Sequence, residues 1–290
     1  MYSRSLIAAA LAAAPAVAQV CPLAFDGRVP DNFTLDTFDS NNGVFNPSFV
    51  LGANLTWSEE LQLPGGSSLF SDNTQPVEVT INDKSIFAPS PDNVQVGFRR
   101  AELQIASNSG TDNSTLGIKT LHFSLKKDIT RPLNLSHEYQ LVFLEDNTFS
   151  TNQFALKTGT ILGQNTTNPD TLQLFGNVND AKPGLIFSAP FTAGKFHNFA
   201  LKLDFNANTT QVFYSTGNCS LSQQTEAIAN DVSGQGQFHF GILKKPTGNF
   251  TDITKSGFQE SGINEGIVYS GIFMEDSADD CLSLSRTTKA

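Results

Sequence analysis

The chain has 290 residues, with 28 Asp and Glu against 18 Lys and Arg, so its formal net charge is −10. This acidic balance argues against nucleic acid or an anionic membrane as a partner and favours a neutral one. With 39% hydrophobic residues, 24 of them Phe, the chain has enough apolar surface to offset its chain entropy, which excludes disorder.

The first 18 residues are typical of a secretory signal peptide. Arg4 precedes an apolar run over 6–14, and Ala16-Val17-Ala18 then supplies small residues where signal peptidase cleaves. The run is shorter than the about 20 apolar residues that span a membrane. We therefore expect a secreted, extracellular protein. Residues 19–290 contain no linker or repeat, so we expect them to form one domain.

Eight Asn-x-Ser/Thr sequons agree with export, because N-glycosylation takes place in the secretory pathway. The candidate glycosylation sites are Asn32, Asn54, Asn113, Asn134, Asn165, Asn208, Asn218 and Asn249. Of the three cysteines, one must stay unpaired. We favour a disulfide between Cys21 and Cys281 that ties the chain ends together, although sequence alone leaves the pairings with Cys219 open. No Cys or His spacing indicates a metal site, and we expect no cofactor.

Alternation of apolar and polar residues dominates the chain and predicts β-strands. The predicted strands are 49–57, 77–81, 97–105, 117–126, 138–145, 153–157, 172–175, 198–205, 210–215, 236–243 and 267–274. One short helix is predicted over 222–230. Many strands separated by turns predict an all-β fold, a single-domain jelly-roll sandwich of two antiparallel sheets.

Four of these strands carry polar side chains on the face that alternation turns away from the core. In strand 138–145 this pattern places Tyr139, Leu141 and Phe143 inward. The outward residues on the four strands are Arg100, Glu102, Gln104, His122, Glu138, Gln140 and His239. If the strands are neighbours, these side chains form one polar cleft; a solvated sheet face is the alternative.

Such a cleft has the groups that cleavage of a glycosidic bond requires. One carboxyl group protonates the leaving oxygen, while an ionised one activates water or attacks the sugar. Arg100 lies two residues from Glu102, on the same face and about 6.5–7 Å away, where it favours the ionised carboxylate. Gln104 and Gln140 suit a substrate rich in hydroxyl groups. Trp57 is a candidate platform for a sugar ring, with core packing as the alternative.

Five blocks of the sequence resemble glycoside hydrolase family 131, a family of secreted fungal β-glucanases. The blocks are CPLAFDGRVP (21–30), GFRRAEL (97–103), LNLSHEYQL (133–141), GQFHFGILKKP (236–246) and GIFMEDS (271–277). The resemblance implies a β-jelly-roll and activity on neutral β-glucans and cellulose. It implies exo-type cleavage of β-1,3 and β-1,6 linkages and endo-type cleavage of β-1,4 linkages.

The same resemblance suggests roles for individual residues. Glu102 and His239 match positions of the family's cleft, and Arg100 accompanies Glu102. Glu138 is our choice for a second catalytic carboxylate; its rivals are Glu145, Glu260 and Glu265. We expect a monomer. Two other classes stay open, namely a jelly-roll polysaccharide lyase, which the Gln237-Phe-His239 strand would suit, and a non-catalytic glucan-binding lectin.

Overall fold

A computed structural model of the chain describes residues 21–180 and 184–286, so the predicted signal peptide lies outside the described residues. Two one-turn helices occur, α1 (Leu35–Phe38) and α2 (Trp57–Glu60), and a 3-10 turn spans Asn113–Thr115. The strands in chain order are β1 (Leu23–Asp26), β2 (Val29–Pro30), β3 (Leu61–Gln62), β4 (Thr74–Gln75), β5 (Val77–Asn82), β6 (Arg99–Gln104), β7 (Ile118–Lys127), β8 (Glu138–Glu145), β9 (Asn152–Gly159), β10 (Thr171–Gly176), β11 (Leu185–Pro190), β12 (His197–Asp204), β13 (Thr209–Thr216), β14 (Ser222–Gln223), β15 (Ile228–Ala229), β16 (Gln237–Lys244) and β17 (Asn264–Asp276).

These strands form two large antiparallel sheets. The six-stranded sheet has the order β11-β10-β9-β8-β16-β6. The nine-stranded sheet has the order β14-β13-β12-β7-β17-β5-β3, with β1 joined to β17 and β15 to β13. A two-stranded sheet, β2-β4, completes the fold. Strands remote in sequence are neighbours, as β16 lies between β8 and β6, so the predicted all-β jelly-roll sandwich is confirmed.

The apolar rows of the two sheets face each other and fill a shared core. Phe240 of β16 contacts Phe123 of β7 with ring centroids 6.4 Å apart, and Phe123 stacks on Phe199 of β12 at 5.1 Å. All three rings are fully buried. Burial of a side chain of this size stabilises the folded state by about 1.5–3 kcal/mol relative to leaving it exposed. This packing determines which face of each strand is left to meet a ligand.

Ten of the eleven predicted strands are confirmed, with small changes at their ends, but the strand predicted over 49–57 is wrong. Val50 does exchange backbone hydrogen bonds with Glu102 at the edge of β6, at 2.8 and 3.3 Å. The chain then turns, and α2 begins at Trp57. The Glu59 carboxylate accepts a hydrogen bond from the Thr56 backbone N–H (2.9 Å), which stabilises the first turn of this helix.

The helix predicted over 222–230 is also wrong. The segment instead supplies the short strands β14 and β15, which pair with the edge of β13. Between them, the Gln224 N–H donates to the Val212 carbonyl at 2.8 Å, and the Val212 N–H donates to the Thr225 hydroxyl at 3.0 Å. Pairing with an open sheet edge therefore outweighs the local helical preference of this segment.

The chain ends are joined as expected, because Cys21 forms a disulfide with Cys281 across a sequence separation of 260. Cys219 is the free, exposed cysteine. The pairing closes nearly the whole domain into one loop, which limits the unfolded chain and so stabilises the folded one. Among the described residues, none of the helices is both long and apolar enough to cross a membrane.

Candidate active site

Three of the four strands predicted to carry the polar face are neighbours in the six-stranded sheet. In the register of β6, β16 and β8, His239 lies opposite Gln104 on one side and Phe143 on the other. Glu102 lies opposite Gly241, which has no side chain beyond its Cα. The outward groups of these three strands therefore share one face.

Glu102 is fully buried on this face and is held by a guanidinium and an imidazole. Arg100 makes a paired contact with it, Nε to Oε1 and Nη2 to Oε2, both at 2.7 Å. The third contact is from His239 Nδ1 to Glu102 Oε2, also at 2.7 Å. Burial alone would raise the pKa of the Glu102 carboxyl, but the charge of Arg100 and the bond from His239 outweigh it and lower that pKa. Glu102 is thus a fixed anion.

His239 connects this anion to the cleft. Its ring stacks on Phe143 with centroids 4.3 Å apart, and its Nδ1 donates to Glu102. Its Nε2 then lies 3.1 Å from Gln104 Nε2 and 3.5 Å from Glu145 Oε2. Burial would lower the pKa of His239, but the hydrogen bonds to Glu102 and Glu145 raise it above its ordinary value. The imidazole therefore lies between two carboxylates, with Nδ1 on Glu102 and Nε2 facing both Glu145 and the Gln104 amide.

A β-bulge in β8 places Phe143 and Glu145 on this face. Pairing with β16 and with β9 shifts by one residue between Gln140 and Val142. Leu141 faces the core as predicted, but from Val142 onward the side chains point to the opposite side from strict alternation. The expectation that Phe143 faces the core is corrected, since its ring lies against His239. Sequence reasoning kept Glu145 only as a rival carboxylate, because the bulge leaves no mark in the alternation of the strand.

The contacts that run from Arg100 through Glu102 and His239 to Glu145 are called the relay below. An open cleft of about 260 Å³ lies beside the relay, over β8, β9 and β10. Its lining residues are Gln140, Glu145, Phe149, Ser150, Thr151, Asn152, Ala155, Lys157, Phe175, Gly176, Val178 and Lys245. Glu145 both contacts His239 and lines the cleft, and a quarter of its side chain is exposed. Gln140 and Asn152 are bonded to each other at 2.9 Å and present amide groups to a ligand.

Glu138 lies on the same face but is buried and occupied by two lysines. Its Oε1 is 2.7 Å from Lys245 Nζ and 3.1 Å from Lys157 Nζ, and its Oε2 accepts a bond from the Leu162 N–H at 2.8 Å. Burial would raise the pKa of Glu138, but the two lysine charges lower it. Both lysines line the cleft. Glu138 therefore reaches the cleft only through its contacts with these two lysines.

His122 does not belong to this face, which corrects the expectation that it binds substrate beside Glu102. It lies on β7 in the nine-stranded sheet and points away from the core on the opposite side of the sandwich. Its Nε2 is 2.9 Å from Glu275 Oε2, and its ring stacks on Phe273. Alternation predicted correctly that the side chain faces outward, but it carries no information about which sheet the strand joins.

Trp57 is fully buried, which corrects its expected use as a sugar platform. Its indole N–H donates to the Asn46 carbonyl at 3.3 Å, and its ring belongs to the core. The aromatic group that the cleft does expose is Phe149, in the β8–β9 turn. Sequence reasoning missed Phe149, because a single Phe in a polar turn has no periodic pattern around it.

The other rival carboxylates belong to a separate ionic network. Lys244 Nζ is 2.6 Å from Glu260 Oε1 and 2.7 Å from Glu265 Oε1, and the Tyr139 hydroxyl donates to Glu265 at 2.8 Å. Since Tyr139 faces the core, this network ties β8 and β16 to β17 of the other sheet. Across 21–180 and 184–286, no cluster of three or more His, Cys, Asp or Glu side chains is placed to hold a metal ion.

Jelly-roll sandwiches include lectins, and two carboxyl groups beside a cleft are the groups that cleavage of a glycosidic bond requires. The family model for the glycoside hydrolase 131 catalytic N-terminal domain matches residues 23–280. The chain therefore belongs to glycoside hydrolase family 131 and is a glycoside hydrolase catalytic domain.

Two solved structures have the same fold. One is a GH131 β-glucanase catalytic domain from Podospora anserina, with a TM-score of 0.70. The other is the catalytic domain of a glycoside hydrolase family 131 protein from Coprinopsis cinerea, with a TM-score of 0.68. Each is 22% identical to this chain, and each alignment covers 91% of this chain and 98% of the other. No curated protein matches the chain significantly.

Proposed function

We propose that this protein is a β-glucanase that hydrolyses neutral cell-wall glucans and cellulose in the cleft on the six-stranded sheet. Exo-type cleavage of β-1,3 and β-1,6 linkages and endo-type cleavage of β-1,4 linkages are the expected activities. The observation that carries the proposal is the continuous set of contacts from Arg100 through Glu102 and His239 to Glu145, which ends at the cleft. The Podospora anserina neighbour is described as a β-glucanase.

In this proposal the relay is the acid–base machinery of the reaction. Glu102, fixed by Arg100, orients His239 and stabilises its proton. Glu145 contacts the substrate, and the proton that it shares with His239 Nε2 passes to the leaving glycosidic oxygen as the bond between that oxygen and the anomeric carbon breaks. Water adds its oxygen to the anomeric carbon, and the proton that it releases returns to the Glu145–His239 pair. The exposure of Glu145 favours it over Glu138 for contact with the substrate.

The substrate-binding part of the cleft is proposed to consist of amide and ammonium groups. Gln140 and Asn152 donate to and accept from sugar hydroxyls, and Gln104 holds the imidazole in line. Lys157 and Lys245, oriented by Glu138, donate to ring hydroxyls at the other end of the cleft. The lining is suited to a hydroxyl-rich, uncharged polymer because its charges are balanced within the site.

Product analysis tests this function directly. The purified protein is incubated with laminarin, cello-oligosaccharides and alginate, and the products are separated with mass and ultraviolet detection. Glucose or short saturated glucans from the neutral substrates are the expected result. Unsaturated, ultraviolet-absorbing products from alginate would instead indicate a lyase. Binding of glucan without any cleavage would indicate a lectin.

We also propose that the protein is secreted, glycosylated and monomeric. Seven of the eight sequon asparagines are exposed and Asn208 is half-buried, which suits attachment of glycans after folding begins. A disulfide suits an oxidising compartment. Expression in a secreting fungal host, followed by mass spectrometry before and after deglycosylation and by light scattering, tests all three. A chain retained in the cell with Arg4 still present would contradict secretion.

A further inference from the structure

The turn between β8 and β9 exposes a large aromatic side chain at the cleft. Phe149 is 69% exposed and lines the cleft together with Val178, which is 57% exposed and belongs to the connection after β10. An exposed aromatic ring is unremarkable alone. Here two exposed apolar side chains from neighbouring turns line a cleft whose other lining side chains are mostly polar. They differ chemically from Glu145, through which the cleft meets the relay.

The turn that carries Phe149 is firmly held. The Asp146 carboxylate accepts backbone hydrogen bonds from Ser150 and Thr151, both at 2.8 Å, and the Asp146 carbonyl accepts one from the Phe149 N–H at 2.9 Å. These bonds fix the direction of the turn without using the Phe149 ring. The position of the Phe149 backbone, and with it the direction of its Cα–Cβ bond toward the cleft, is consequently set before any ligand arrives.

The backbone of Phe149 favours a different residue. Its φ of 58° lies in the left-handed region, where glycine or asparagine is comfortable and a bulky side chain is strained. The ring also buries little surface to compensate for that strain, because it is mostly exposed. Neither the turn nor the core therefore accounts for a phenylalanine here, whereas an aromatic contact with a ligand in the cleft does.

From these observations we infer that Phe149 and Val178 form a subsite that binds one pyranose ring of the glucan chain by its apolar face. The inference rests on the proposed function and adds a binding position to it. A β-linked glucose unit has equatorial hydroxyls, so each face of its ring presents C–H groups that pack on an aromatic surface. Asn152 and Gln140, within the same cleft, are placed to bond its hydroxyls.

The test compares Phe149→Gly with Phe149→Tyr and with Phe258→Ala. Phe258 is the matched control, because it is 60% exposed but does not line the cleft. Binding of cellohexaose and laminarihexaose is measured by calorimetry in a Glu102→Gln background that prevents turnover. KM and kcat are then measured in the otherwise wild-type enzyme.

We expect Phe149→Gly to weaken hexasaccharide binding and raise KM about tenfold, which corresponds to loss of about one stacking contact. Phe149→Tyr retains binding and Phe258→Ala leaves it unchanged. The melting temperature of Phe149→Gly should be no lower than that of the wild type, since glycine relieves the left-handed strain. A purely structural role for Phe149 predicts the reverse, a lower melting temperature with unchanged affinity.

The outcomes separate this inference from the proposed function. Hexasaccharide affinity within twofold of the parent in Phe149→Gly would overturn the subsite, as would absence of any binding by the parent. Binding that depends on Phe149, in an enzyme that cleaves no glucan, would support the subsite and contradict the proposed hydrolysis.

Discussion

Two buried histidines on opposite faces of the sandwich have nearly the same immediate surroundings. Each ring stacks on a phenylalanine with centroids 4.3 Å apart. His239 is bonded to Glu102 at 2.7 Å, and His122 is bonded to Glu275 at 2.9 Å. Alternation alone turns both histidines away from the core and does not distinguish them.

The two histidines differ in what surrounds the second nitrogen of each ring. His239 Nε2 points to Glu145 and so to the cleft, whereas His122 Nδ1 is buried with no hydrogen-bond partner within the described residues. The carboxylates differ too, because Arg100 neutralises Glu102 while Glu275 receives a backbone N–H from Ser283 at 3.0 Å. The proposed acid–base role therefore falls to the pair whose second ring nitrogen faces the cleft.

The largest expected effect is on turnover. Glu102→Gln should lower kcat by two or more orders of magnitude, at least about 2.7 kcal/mol in activation free energy, because His239 loses the charge that stabilises its proton. Glu275→Gln, the matched change on the other face, should leave kcat within about twofold. Initial rates on a soluble glucan measure both. Near wild-type turnover of a folded Glu102→Gln protein would remove Glu102 from the mechanism.

We expect the His122–Glu275 pair on the other face to affect the stability of the protein but not its turnover. Glu275→Gln should lower the free energy of unfolding by about 1–3 kcal/mol, because the buried His122 and the Ser283 N–H lose a charged acceptor. Urea denaturation measures this loss, and kcat of the remaining folded enzyme is the control. A drop in kcat as large as that of Glu102→Gln would show that the two faces are coupled.

The pH profile sharpens the comparison further. His239 has a raised pKa, so its protonated form, and the stability that it contributes, are present below its ordinary pKa of 6.5 and lost as pH rises through the higher folded value. Glu102 has a lowered pKa, so its contribution is lost only as pH falls below the ordinary carboxyl range. Activity should therefore be maximal at mildly acidic pH, with an alkaline limb set by His239.

Substitution of Glu145 should also shift the alkaline limb of the pH–activity profile. Because its contact with Nε2 helps to raise the pKa of His239, Glu145→Gln should shift the residual alkaline limb of kcat to lower pH. The shift is read from the residual rate across the pH range. An unshifted limb in this variant would assign the limb to a different group.

The smallest effect is expected at Glu138. Glu138→Gln should raise KM a few-fold and leave kcat within about threefold, because Lys157 and Lys245 lose their shared partner while the relay is intact. Steady-state kinetics on the same glucan measure this split. A loss of kcat comparable to that of Glu102→Gln would make Glu138 the second catalytic carboxylate after all.

Much of this site was predictable because its strands follow simple rules. The alternation in β6 and β16 is regular, so it assigned Arg100, Glu102 and His239 to the outer face. In β8 the same reasoning failed after Leu141, because the bulge depends on how three strands pair rather than on any one of them. Phe149 was missed for a related reason, since its importance comes from the cleft beside its turn.

The sequence by itself determined the all-β class, the outward direction of the polar side chains in β6 and β16 and, through its sequence blocks, the family, whereas the structure selected Cys281 over Cys219 as the partner of Cys21. The features that the sequence determined depend on side-chain periodicity and on residue types that local chemistry constrains. Only the tertiary structure decided that His122 lies on the far sheet, that Trp57 is in the core and that Glu145 faces the cleft. Those positions depend on strand order and register, which follow from packing among segments that are distant along the chain.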